Sequence, residues 1–139
     1  MSSYNAFIRT NYFSVTDEPK LRELLGDALA GDEISVFEQE QKNGGKKFAF
    51  GLCGSISGLV IPEDSEPSMY AFERGLQKLV APGDAVIITE IGYEKLRYLT
   101  AISTVITQKD ICYVDIETVA LENAKELLDD PEYFTQTGY

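Results

Sequence analysis

Histidine is absent from the 139 residues. That removes the commonest general base, the commonest metal ligand and the usual partner of a serine or cysteine nucleophile. Cysteine is scarce. Cys53 and Cys112 form no C-x-x-C pair and stand among apolar residues, so both are expected as reduced core side chains. Long apolar runs are missing as well: stretches such as Ala85 to Ile88 fall far short of a membrane span. The opening MSSYNAFIRTNYFSV lacks a continuous apolar core followed by a small-residue cleavage site, so the expected location is cytoplasmic.

The phosphate and nucleophile motifs fail too. In GLCGSISG, Gly54 and Gly58 bracket Ile56, with Ser55 and Ser57 off-centre, whereas a nucleophile elbow needs serine in the middle. No Gly-Lys-Ser or Gly-Lys-Thr is present for a phosphate loop. The stretch reads as a bend leaving a strand. No cofactor and no metal are expected, and no catalytic residue is assigned.

Basic residues are few, 12 against 23 acids, for a formal charge of −11. Residues 1–109 hold 15 acids and 11 bases, net −4, while residues 110–139 hold 8 acids and only Lys125, net −7. Such a surface repels nucleic acid and anionic membrane and attracts basic partners. Hydrophobic residues at 44% and charged residues at 25% are otherwise those of a folded globule. The length suits one domain, expected over residues 1–130 with an aromatic tail over 131–139.

Asn5 to Val15 is rich in β-forming residues and reads as a first strand. Thr16 is the expected N-cap of a helix, with Pro19 in its first turn, an apolar stripe of Leu21, Leu24, Leu25, Ala28 and Leu29, and Gly31 beyond its end. Strands Ile34–Glu40 and Lys46–Cys53 flank QKNGG, a hairpin turn sequence. Gly54 to Pro62 reads as an irregular or edge segment. A second helix is expected after Ser65 as cap, with Pro67 in its first turn and Met69, Phe72, Leu76, Leu79 and Val80 on its apolar side. Strands Ala85–Glu90 and Leu96–Thr107 follow, then a crossover over Ile111–Val114. A third helix, Ile116–Leu128, places Ile116, Val119, Ala120, Ala124, Leu127 and Leu128 on one side. The expected fold is α+β: a mainly antiparallel sheet of about five strands packed with three helices, in the order β-α-β-β-α-β-β-α.

Two charged clusters stand out. In EIGYEKLRYLT, Glu90, Glu94, Lys95 and Arg97 interrupt the most strand-like region. With a turn around Gly92 to Lys95, Glu90 and Arg97 nearly face one another, a pair worth about 0.2–1 kcal/mol. The same residues are the candidates for a carboxylate-based active site. In the third helix, Glu122, Glu126, Asp129 and Asp130 fall at offsets 0, 4, 7 and 8, along a flank away from the leucines. Acids near a helix C-terminus oppose the macrodipole, and Glu122 and Glu126 repel at i,i+4. Helix stability does not explain this row, which makes it the candidate partner-binding surface. The terminal aromatics Tyr133, Phe134 and Tyr139 are expected to dock on the domain, with anchoring of a homodimer or a partner as the alternative.

FIRTNYFSV near the start, EIGYEKLRYLTAISTVITQKDI in the middle and TQTGY at the end resemble a family of small acidic proteins carried on phages and integrative elements of Gram-positive gut bacteria. Thr10–Phe13 and Glu94–Tyr98 carry the likeness best. The resemblance implies a mobile-element setting and no particular activity. Small acidic proteins of such elements are often inhibitors of host defence, anti-restriction and anti-CRISPR proteins among them, and several mimic DNA. The expected function is therefore a non-catalytic acidic protein that binds the basic surface of a host nucleic-acid-handling protein or nucleoprotein complex, without touching nucleic acid or membrane itself. Two alternatives stand beside it: a small carboxylate enzyme, and a regulatory or assembly subunit of the element.

Overall fold

A computed structural model describes residues 4–63, 66–95 and 97–136. Its main feature is a six-stranded sheet in the order β3-β4-β1-β7-β8-β9, antiparallel at every pairing. These strands are β1 (Asn5–Thr10), β3 (Ser35–Glu40), β4 (Lys46–Cys53), β7 (Val86–Glu94), β8 (Tyr98–Ile106) and β9 (Ile111–Asp115). A smaller sheet joins β2 (Leu29–Ala30), β5 (Ile56–Val60) and β6 (Pro67–Ser68). The three helices are α1 (Glu18–Asp27), α2 (Met69–Leu79) and α3 (Ile116–Leu128). The fold is a single compact α+β domain.

Alternation along the strands places one set of side chains in the core. Ala6, Ile8, Phe48, Phe50, Leu52, Val86, Ile88 and Ile106 are buried from the sheet side, against Leu21 and Leu25 of α1 and Phe72, Leu76 and Leu79 of α2. Three fully buried rings chain through its centre: Phe13 meets Phe50 edge-on at 6.2 Å, and Phe50 meets Phe72 at 6.1 Å. Burying each such side chain contributes about 1.5–3 kcal/mol.

Several boundaries correct the sequence expectations. Asp17, not Thr16, caps α1, accepting the Lys20 N–H at 3.1 Å, while the Thr16 hydroxyl donates to the Leu79 carbonyl. The helix stops at Asp27, because Leu29 and Ala30 leave the helical spacing to pair with Gly58 and Ile56. The segment read as irregular thus contains β5. Gly58 sits at φ 120°, and a Cβ there would meet the Ser68 carbonyl carbon at 2.3 Å, so only glycine permits that approach. Pro67 lies in β6 rather than in a helical turn, Ser68 caps α2, and Ser65 lies outside the described residues.

The first strand ends at Thr10, leaving Phe13 and Val15 in isolated bridges. Ile111–Asp115 is no crossover but the edge strand β9, turned back on β8 as the Thr107 hydroxyl accepts the Lys109 and Asp110 N–H groups. The central hairpin runs longer than expected: β7 and β8 pair from Val86 opposite Ile106 to Glu94 opposite Tyr98, so the turn lies beyond Glu94.

Candidate functional site

Asp115 ends β9 and at once caps α3, accepting the Glu117 N–H at 3.3 Å. The helix has the expected span, but none of its residues is buried. Leu121, Ala124 and Lys125 are half-buried, whereas Ile116, Val119, Leu127 and Leu128 are exposed, Leu127 to 89%. Its apolar side therefore lies in solvent.

Glu122 and Glu126 of α3 gather with Asp129 and Asp130, which lie beyond the last helical residue, Leu128. Glu122, Glu126, Asp129 and Asp130 line a shallow recess with Lys125 and Pro131. All four are exposed. Three of them have local roles that the spacing did not disclose. Glu122 pairs with the Lys125 ammonium at 3.1 Å. Asp129 adopts the left-handed conformation, φ 53° and ψ 44°, and closes the helix with its N–H on the Glu126 carbonyl. Aspartate tolerates that conformation better than most residues, so its identity there has a backbone cause. The Asp130 carboxylate accepts the Glu132 N–H at 3.1 Å, which leaves Glu126 with the strongest claim to an external partner.

The hairpin cluster does not converge. Glu90 lies opposite Ile102, not Arg97, and accepts the Tyr4 hydroxyl at 2.8 Å on the core side of β7. Burial raises the Tyr4 pKa, a bond with Thr100 opposes this, and the Glu90 carboxylate adds to the rise. Glu94 is the last residue of β7, Lys95 turns the chain at φ 51°, and Arg97 lies over the Tyr98 ring at 5.3 Å. Lys95 lines a groove with Ile91, Leu99 and Ile116. The charges finish a hairpin, and the expected Glu90–Arg97 pair is replaced by Glu90–Tyr4.

The opposite face of the sheet is the largest feature that sequence reasoning missed. Residues paired across antiparallel strands point to the same side. The outward set includes Phe37, Cys53, Phe7, Ile91, Leu99 and Val114, all exposed. Phe7 lies directly between Cys53 and Ile91. Cys53 and Cys112 are free thiols on this open face, not core residues as expected, since each falls on the outward step of its strand. A groove of about 630 Å³ runs along it between Phe7, Arg9, Tyr12, Ile87 and Ile91. A one-sided sheet alternates apolar and polar residues. Here β7 carries Val86 and Ile88 inward and Ile87 and Ile91 outward, and that two-sided run was the available signal.

In the tail, Tyr133 is half-buried and Phe134 is 76% exposed, so Phe134 does not cover the domain; Tyr139 lies outside the described residues. Among the described residues no cluster of three or more acids and cysteines is placed to hold a metal ion, and no helix is long and apolar enough to cross a membrane. No family model, curated protein or solved structure matches this chain.

Proposed function

We propose that the chain is a non-catalytic binding protein that presents the acidic flank of α3 to a basic protein surface. The observation that carries this reading is α3 and its C-terminal end: a 13-residue helix with no buried residue, whose exposed Glu122 and Glu126 line one recess with Asp129 and Asp130 just beyond it. A surface of this charge draws in Lys/Arg-lined grooves of the kind that hold nucleic acid. The resemblance to small acidic proteins of mobile elements directs it towards inhibition of a host nucleic-acid-handling defence machine, of the anti-restriction or anti-CRISPR type, by occupying its DNA groove. The test is capture of a partner from defence-bearing cells, followed by competition. Release by duplex DNA and by rising salt supports the reading, because phosphate-like contacts are salt-sensitive. A complex indifferent to both counts against it.

The open sheet face favours a second reading, a regulatory or assembly subunit of the element, since an apolar face of this extent marks an association surface. The carboxylate-enzyme reading draws no support from the hairpin, whose four charged residues share no cleft.

A further inference from the structure

Among the described residues two apolar surfaces are unpartnered, and they are of complementary kinds. One is the outward face of the six-stranded sheet, with Phe7, Ile91 and Leu99 exposed; Leu99 reaches 62%. The other is the side of α3 formed by Ile116, Val119 and Leu127. The inward face of the same sheet is covered by helices α1 and α2.

The two surfaces are continuous. A groove lined by Ile91, Tyr93, Leu99, Ala101 and Ile116 joins the first turn of α3 to the rim of the open face. Yet α3 cannot fold back across its own sheet. Asp115 is both the last residue of β9, paired with Ile102, and the N-cap of α3, so no linker separates strand from helix.

We infer that the occupant is a second copy of the chain: a two-fold homodimer in which α3 of each protomer lies across the open sheet face of the other. Self-complementarity is what an isologous interface requires, and a helix plus a naked sheet on one chain supplies it. Charge points the same way. Two molecules of net charge −11 repel over most of their surfaces. On the strands of the open face the outward charged residues are Arg9 and Lys47, the latter paired with Asp84 at 3.7 Å, and the carboxylates nearby, Asp32 and Glu33, lie off the strands at one end of the face beside Phe7, Phe37 and Cys53.

Area is sufficient. The exposed aromatic and aliphatic side chains of the two surfaces offer on the order of 100 Å² each. Together they approach the roughly 800 Å² per partner of a stable interface. Cys53 and Cys112 fit as well, because free cysteine is among the most buried residue types and both thiols lie on the face that the second copy would cover.

The proposal does not rest on the acidic row, so a monomer would leave the reading of α3 as a charged surface untouched. Its test is light scattering and sedimentation equilibrium on the full chain, with thiol titration alongside. A mass twice 15.4 kDa is expected at roughly 10 µM, with Cys53 and Cys112 reacting slowly. Leu127→Glu and Phe7→Glu change side chains that are solvent-exposed in the protomer, so circular dichroism should be unaltered. Each should weaken the dimer at least roughly 30-fold and speed thiol modification, as loss of a central apolar anchor does. A monomer at all concentrations overturns the proposal. A dimer that survives Leu127→Glu excludes α3, and one that survives Phe7→Glu excludes the sheet face; either result overturns it.

Discussion

Tyr113 on β9 donates its hydroxyl to Oε1 of Glu73 on α2 at 2.5 Å, tying the edge strand to a carboxylate that is only 4% exposed. The bond to Glu73 is the first cause of a Tyr113 pKa pushed up to about 12; burial and the Glu73 charge add to it.

Removing that hydroxyl leaves Glu73 without its tyrosine donor. Tyr113→Phe should cost about 1–3 kcal/mol, the penalty for depriving a buried acceptor of its partner. A raised pKa means that the neutral tyrosine is the stabilised form. This contribution is complete below the ordinary value of 10.0 and is lost as pH rises towards 12. Denaturant melts between pH 8 and 12 should show an alkaline decline in the wild type that is shallower in the variant.

Asp84 predicts the acid limb. Burial acts to raise its pKa, but the N–H groups of Ser14 and Ala85, both at 2.8 Å, and the Lys47 charge outweigh this and hold it below 3.8. A lowered pKa stabilises above the unfolded value and is lost as pH falls through the folded one. Asp84→Asn should lower stability at neutral pH by about 1–3 kcal/mol and flatten the loss below pH 3.8. Equal acid slopes in the two proteins would place the acid sensitivity elsewhere.

Asp129 carries a backbone cost that glycine would relieve. Its φ of 53° lies in the left-handed region, where most L-residues pay about 1–2 kcal/mol. Asp129→Gly should hold or raise stability by up to about 1 kcal/mol. A thermal melt checks this, and marked destabilisation would show that the carboxylate, not the backbone, fixes the residue.

Much of the fold was legible because local patterns agreed with it. β4 and α3 have the expected spans, and QKNGG does turn a hairpin, with Gly44 at φ 89° but Asn43 without the positive φ of a two-residue Asn-Gly turn. Where local and tertiary preferences competed, tertiary pairing won: Leu29 fits a helical stripe but is claimed by β5, and Pro67 suits a first turn but pairs with Val60. Helical spacing applies to Glu122 and Glu126 only, because α3 ends at Leu128 and Asp129 turns left-handed, although all four acids line one recess. It could not reveal that the leucine side lacks a partner, because periodicity reports which side is apolar and not what covers it. The same limit applied to the cysteines, whose apolar neighbourhood was real but outward-facing.

The central claim is that the acids of α3 meet a basic partner, and one variant isolates it. Glu122→Lys, Glu126→Lys and Asp130→Lys together spare the left-handed Asp129 and remove no buried contact. Loss of the Glu122–Lys125 pair and of the exposed Asp130 bond to the Glu132 N–H is offset by lysines placed near the helix C-terminus, so stability should stay within about 0.5 kcal/mol. The decisive measurement is the affinity of wild type and triple variant for the captured partner across a salt series, beside a melt of each. The account predicts an unchanged melt, tight salt-sensitive binding by the wild type and at least roughly 100-fold weaker binding by the variant. Equal affinity at every salt concentration would contradict it.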